Sequence, residues 1–252
     1  MITNSIRRHA VLTVAAAVAL TALSGCQDSP SGTAAPTAAA PATSAAPVAG
    51  AFEPEAALAN AEKTPYAANV KITTEAAGRP LSTMTGRSNF NALFTGRSEI
   101  RSSAEVPASQ SLWMETVTTT DANYFRNRKA GTNWVKAPRA AGNNQADYGA
   151  YAKLLLAGGP SAKKGMENQG GIPTYHLAGH LEIDQVASVD PRTHRSMKAK
   201  GVTGFDCDQW IDSKGRTIRF EQRMDMYGIP SVNKATFTDF GPAETFAPPT
   251  EG

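Results

Sequence analysis

The chain has 252 residues, with 25 Lys and Arg against 22 Asp and Glu, two cysteines and a formal charge of +3. Two of those positive charges, Arg7 and Arg8, lie in an amino-terminal segment with the pattern of a cleaved leader, so residues 26–252 carry only +1. That balance excludes the clustered basic surface that nucleic-acid binding requires, and two cysteines exclude a disulfide framework.

Residues 10–23 form an apolar run behind Arg7 and Arg8, and Leu23-Ser24-Gly25-Cys26 closes it. A basic start, an apolar stretch and small residues before a cut make a secretory signal. The run has 14 residues, short of the roughly 20 that span a bilayer as a helix. A cysteine directly after Leu-Ser-Gly resembles the bacterial lipobox. That resemblance implies removal of residues 1–25 and a diacylglyceryl group on the Cys26 thiol. It places the protein on the outer, extracytoplasmic face of the cell membrane, held there by lipid. With Cys26 acylated, Cys207 has no intramolecular partner, and its expected place is the core, as a small hydrophobe.

Residues 26–50 are the lipidated cysteine and its tether. The tether is Ala, Pro, Thr, Ser and Gly with Asp28 as its one charge and prolines at 30, 36, 41 and 47. It has too little large apolar surface to pack, so the expectation is disorder. At about 3.1 Å per residue in a polyproline-like state, it reaches roughly 70 Å.

The folded domain is expected over residues 51–247, with 248–252 as a tail. Residues 52–63 read as a short helix with Pro54 and two acids in its first turn, where the missing N–H and the dipole favour them. The period then changes to two: Tyr66, Ala68, Val70 and Ile72 alternate with polar or small residues, as in a half-buried strand. Residues 81–90 and 95–101 continue as strands, with Gly86 and Gly96 as expected bends or bulges. Residues 111–119 form another, and 123–126 with 132–136 form a hairpin. Helical spacing returns over 143–156, capped by Asp147, with Tyr148, Tyr151 and Leu155 on one face.

Residues 161–171 are polar and read as a surface loop. In 173–183, Tyr175, Leu177, Leu181 and Ile183 point one way and Thr174, His176, His180 and Glu182 the other. A helical turn over 184–189 precedes a basic helix from Asp190-Pro191 to Lys200, closed by Gly201. Residues 205–212 and 216–227 make a hairpin, and 232–240 is the last strand. The tally is about nine to eleven strands and three short helices. An α+β fold with one large antiparallel sheet, helices on one face, fits best. A sheet that wide curls, into a closed barrel or an open half-barrel.

Four segments follow in order in the carboxy-terminal part: Tyr175-His176-Leu177-Ala178-Gly179, Asp184-Gln185-Val186, Trp210-Ile211-Asp212-Ser213-Lys214-Gly215-Arg216, and Thr236-Phe237-Thr238-Asp239-Phe240-Gly241. Together with the lipobox they resemble the actinobacterial LppX/LprG-type lipoproteins of the LolA-like superfamily. The resemblance covers mainly residues 52–247. It implies an open half-barrel wrapped over helices and a non-enzymatic lipoprotein that takes acyl chains of lipids or glycolipids into an apolar hollow. Related half-barrels imply the alternative, an envelope sensor that binds a protein partner.

The residues offer one candidate ligand face. Ile218, Phe220, Met224 and Met226 alternate against Thr217, Arg219, Glu221, Arg223 and Asp225, and methionines suit irregular apolar guests. Gln222 interrupts that face, and a buried amide needs a partner or a ligand. Packing on the helices is the competing account. Arg195, Lys198 and Lys200 could meet anionic head groups, but a solvated charged face is the favoured account of them.

No cofactor or catalytic signature emerges. His176 and His180 lie four apart on a strand, about 13 Å at 3.3 Å per residue, too far for one zinc, so both are expected on the solvent face. His194 is expected exposed. Asp206, Asp208 and Asp212 lack the glycine-bearing loop and terminal glutamate of a calcium site and are expected on an exposed acidic strand face. Ser161 with Lys164, and Ser231 with Lys234, match Ser-x-x-Lys without its supporting motifs.

Overall fold

The computed structural model describes residues 50–61, 63–139 and 146–250. The expected leader, Cys26, tether residues 27–49 and residues 143–145 of the second predicted helix lie outside the described residues. All described elements belong to one compact unit, Ala46–Gly252.

Among the described residues, eleven strands form one sheet: β1 Tyr66–Ala76, β2 Arg79–Phe90, β3 Gly96–Ser102, β4 Trp113–Thr118, β5 Ala122–Asn127, β6 Val135–Pro138, β7 Lys163–Gln169, β8 Ile172–Glu182, β9 Gly204–Ile211, β10 Thr217–Met226 and β11 Ile229–Pro242. Their spatial order is β6-β5-β4-β3-β2-β1-β11-β10-β9-β8-β7. Two meanders, each built by local hairpins, therefore meet along one long-range seam, where Tyr66 faces Pro242 and Ala76 faces Ser231. Every pair is antiparallel, and β6 and β7 remain as edges, so the sheet is an open half-barrel.

Four helices accompany the sheet: α1 Pro54–Ala59, α2 Tyr148–Ala157, α3 Ile183–Val186 and α4 Pro191–Lys198. Local chemistry places their starts. Asp147 accepts from the Ala150 N–H and Asp190 from the Thr193 N–H, each satisfying an orphan donor of its helix. Pro54 and Pro191 sit in first turns, where an N–H is not missed. The core lies between α2, α3 and the sheet. Tyr151 and Leu155 of α2, each 2% exposed, press on Leu177, Phe205 and Phe220. Cys207 is fully buried there, and burial pushes its thiol pKa far up.

Several expectations need correction. The predicted loop at 161–171 contains β7, which pairs with β8 from Lys163 opposite Leu177 to Gln169 opposite Ile172. Its residues Lys163-Lys164-Gly165-Met166-Glu167-Asn168-Gln169 carry no apolar alternation, because an edge strand can be specified by its neighbour rather than by its own burial. Gly86 and Gly96 are neither bends nor bulges. The ladder is regular through both, and a Cβ at either would collide with the adjacent strand, against Arg97 O and Ser88 Oγ. The register shifts fall elsewhere, including between Ala67 and Asn69 and between Thr217 and Arg219. The first helix is shorter than expected, ending at Ala59.

Candidate functional site: the cleft between sheet and helices

A cleft of about 490 Å³ opens between α1, α2, the turn before β10, and strands β1, β2 and β11. Its aromatic wall comes from four separate elements. Tyr66 stacks on Phe90 at 5.2 Å and 13°, and Phe90 meets Phe237 edge-on at 5.7 Å. Phe237 meets Tyr148 at 5.0 Å, and Tyr148 meets Phe220 at 5.1 Å, both near perpendicular. These are the offset and edge-to-face geometries that the ring quadrupole favours. The chain of rings thus runs from the cleft wall to the core beneath α2. Burial first, then the Asp190 charge, pushes the Tyr148 hydroxyl up to about 12.

The rim is charged. Lys153 of α2, Lys214 and Arg216 of the turn, and Asp147 all line the cleft. Asp212 organises the turn: its Oδ1 accepts from the Lys214 and Arg216 N–H groups, and its Oδ2 accepts from Arg216 Nε at 2.8 Å. The Arg216 guanidinium lies 4.2 Å above the Phe240 ring. Gly215 closes the turn at φ +72°, and a Cβ there would stand 2.7 Å from the Ala57 carbonyl oxygen of α1. Only glycine combines that backbone with so close an approach.

A buried amide lies beside the cleft. Gln209 is fully buried, and its Nε2 donates to the Tyr148 carbonyl and to Thr217 Oγ1, both at 2.8 Å. Its Oε1 has no hydrogen-bond partner among the described residues. The shift between Thr217 and Arg219 gives Thr217 a place on the cleft lining.

None of the five sequence-predicted ligand residues lines this cleft. Phe220 and Met224 are buried in the helix-side core, and Met226 packs partly against it. Gln222 is 8% exposed, between Asn233 and Cys207 on its neighbouring strands. Ile218 is buried outside that core cluster.

The other face of the sheet holds a polar network that the sequence did not announce. His176 stacks on Trp210 at 4.3 Å and 11°. Its Nδ1 lies 2.8 Å from Glu167 and its Nε2 2.7 Å from Asp208. Trp210 Nε1 donates to Glu167, the Arg219 guanidinium covers the Trp210 ring, and Arg223 pairs with Asp208. The His176 side chain is 15% exposed, so it does not stand on a bare solvent face. Asp208 and Asp212 are likewise buried, each against an arginine, whereas Asp206 is exposed beside His180. Burial raises the Asp208 pKa, but hydrogen bonds from Arg223 and His176 outweigh it and hold the carboxyl below its usual range. His194 is also mostly covered and meets Asp184, which Lys198 shares.

The two Ser-x-x-Lys matches come apart in the structure. Lys164 donates to the Ser161 carbonyl, and Ser231 to the Ile229 carbonyl while Lys234 pairs with Glu75. Among the described residues no group of three or more His, Cys, Asp or Glu side chains is arranged to hold a metal ion.

No family model matches the chain, and no curated protein does. Solved structures do. LprF from Mycobacterium bovis aligns at 14% identity over 79% of this chain and 99% of its own, with a TM-score of 0.49. The Mycobacterium tuberculosis lipoprotein LppX aligns at 14% identity over 71% and 88%, with a TM-score of 0.39. A LolA superfamily protein from Nitrosomonas europaea aligns at 11% identity over 75% and 91%, with a TM-score of 0.27. These names fall in the group that the sequence motifs resemble. At such identities and TM-scores, no ligand or partner carries over to this chain.

Proposed function

We propose that this chain is a lipoprotein anchored through diacylglyceryl-Cys26 at the outer face of the cell membrane, and that its half-barrel binds an acyl-chain molecule in the cleft. The observation that carries this reading is the aromatic wall of Tyr66, Phe90, Tyr148 and Phe237 around about 490 Å³ of open space. That volume is in the range of ligand pockets, which combine apolar walls with polar groups; in this cleft the polar groups make up the larger share of the exposed lining. The mechanism is burial: each methylene moved from water to the wall contributes about 0.8 kcal/mol, and the polar head stays at the charged rim. Phe220, Met224 and Met226 serve as the deeper apolar support under α2, and Gln222 offers its amide at that end of the face. None of the described helices is long and apolar enough to cross a membrane.

Native mass spectrometry tests the reading. The chain from residue 26, carrying Cys26→Ser and prepared from a lipid-rich host, is weighed before and after solvent extraction. A discrete extra mass lost on extraction is the expected result. An unchanged mass, together with no uptake of added fatty acid by the extracted protein, would overturn it.

A further inference from the structure

The rim of the cleft carries three cationic side chains, Lys153, Lys214 and Arg216, against the carboxylate of Asp147 and that of Asp212, which pairs with Arg216. They come from two elements, α2 and the turn before β10, and they stand at the end of one aromatic wall. Asp147 is occupied, because its Oδ1 accepts from the Ala150 N–H as the cap of α2. Arg216 is held in place by Asp212 and by the Phe240 ring, with guanidinium N–H groups beyond those that Asp212 takes. Lys153 is exposed, and no hydrogen bond or ion pair engages its ammonium among the described residues. With Asp212 counted, the rim keeps one net positive charge beside the aromatic rings, the complement of an amphiphile with a negative head.

The volume limits the tail. If a methylene is as large as a water, whose share of the liquid is about 30 Å³, about 490 Å³ corresponds to on the order of 16 such groups, the size of one acyl chain.

We propose that the cleft selects single-chain amphiphiles with an anionic head, carboxylate or phosphate, and that Lys153 is its head-group contact, with Lys214 and Arg216 beside it. The proposal rests on the acyl-binding reading above and adds the class of ligand. The contact is at the surface, so it weakens as salt rises.

The test is a set of binding titrations below the micelle threshold, on the chain from residue 26 with Cys26→Ser. Oleate and lysophosphatidylglycerol are the two anionic probes. Monoolein has the same kind of chain and no charge, and dioleoyl-phosphatidylglycerol has the charge and two chains. The expected result is tighter binding of one or both anionic single-chain probes than of monoolein, with the two-chain lipid weakest. Whichever anionic probe binds tighter identifies the head as carboxylate or phosphate. In Lys153→Glu, which loses an attraction and gains a repulsion, the anionic-to-neutral preference drops roughly tenfold, and in Lys153→Gln by less. Equal binding of monoolein and the anionic probes, unchanged in Lys153→Glu, would overturn the head-group proposal and leave acyl binding intact. Tight binding of the two-chain lipid would overturn the single-chain limit. Failure of all four probes would overturn the acyl-binding reading itself.

Discussion

Replacing Gly215 by alanine tests whether α1 is held against the turn that forms the rim. Two costs are separable. The first is the backbone: φ is +72°, and a left-handed conformation costs a residue with a Cβ about 1–2 kcal/mol. The second is contact: the added Cβ would lie 2.7 Å from the Ala57 oxygen and 3.0 Å from the Ala61 Cβ, and forcing such a methyl into packed surroundings costs about 1–3 kcal/mol. Gly78 supplies the comparison. It has φ +73° in the β1–β2 turn and nothing within 4 Å of an added Cβ, so Gly78→Ala meets the first cost alone. Gly215→Ala is therefore expected to lose about 2 kcal/mol more than Gly78→Ala, a gap of about 4–8 °C in melting temperature for a domain of this size. Urea unfolding with an unchanged m-value measures both losses directly. Equal losses would refute the reasoning, because α1 would then yield without resistance and the cleft would lack a fixed wall on that side.

Four further outcomes are expected. Asp208 has a folded pKa below its ordinary 3.8, so its contribution to stability is complete above that value and is lost as pH falls through the lower folded one. The stability-versus-pH curve below pH 4 should be flatter in Asp208→Asn than in the native chain, and identical slopes would contradict the pairing. The Cys207 thiol, fully buried and with its pKa raised, should resist a thiol reagent at pH 8 until denaturant is added, and rapid labelling of the folded protein would show otherwise. Cys26→Ser should abolish palmitate labelling and move the protein from the membrane to the soluble fraction; a variant that stays membrane-bound would show another anchor. In hydrogen exchange, α1 amides should open faster than those of α2 and slow on ligand binding, because α1 has no side-chain N-cap whereas α2 has Asp147 and the buried Tyr151 and Leu155.

The strands were legible where burial is one-sided and turns are local. Residues 66–72 alternate because β1 has a helix-side and an outer face, and Gly215 and Gly201 mark turns that occur where they were read. β7 was illegible because its edge position demands no apolar face of its own. The outer residues of β8, β9 and β10 misled for a different reason. A polar residue facing away from the helices was taken to face water, but Glu167, His176, Trp210, Asp208, Arg219 and Arg223 cover one another. The alternation of polar and apolar residues cannot distinguish a solvated face from one whose polar groups are paired, since both need the same residue types.

The cleft was hidden more deeply. Phe220 and Met224 are buried, as their alternation required, but alternation reports burial and does not report what covers a side chain. The aromatic residues of the cleft lining are Tyr66, Phe90, Tyr148 and Phe237, one from each of β1, β2, α2 and β11, with Phe90 and Phe237 themselves buried. No local period connects them, and they converge only because the β1–β11 seam joins the two ends of the domain and the first residue of α2, Tyr148, meets Phe237 there. The shift between Thr217 and Arg219 adds a second obstacle. A strict two-residue period sets Thr217 opposite to Phe220, yet Thr217 meets Gln209 beneath α2 and lines the cleft. One displaced residue changes the face of everything before it in that strand. Open space in this half-barrel therefore lies where the regular pattern ends, at seams, shifts and tight turns. There the sheet cannot be fully packed by its own helices, and the physical marks are a glycine pressed on a helix backbone and a buried amide with one oxygen left unpaired.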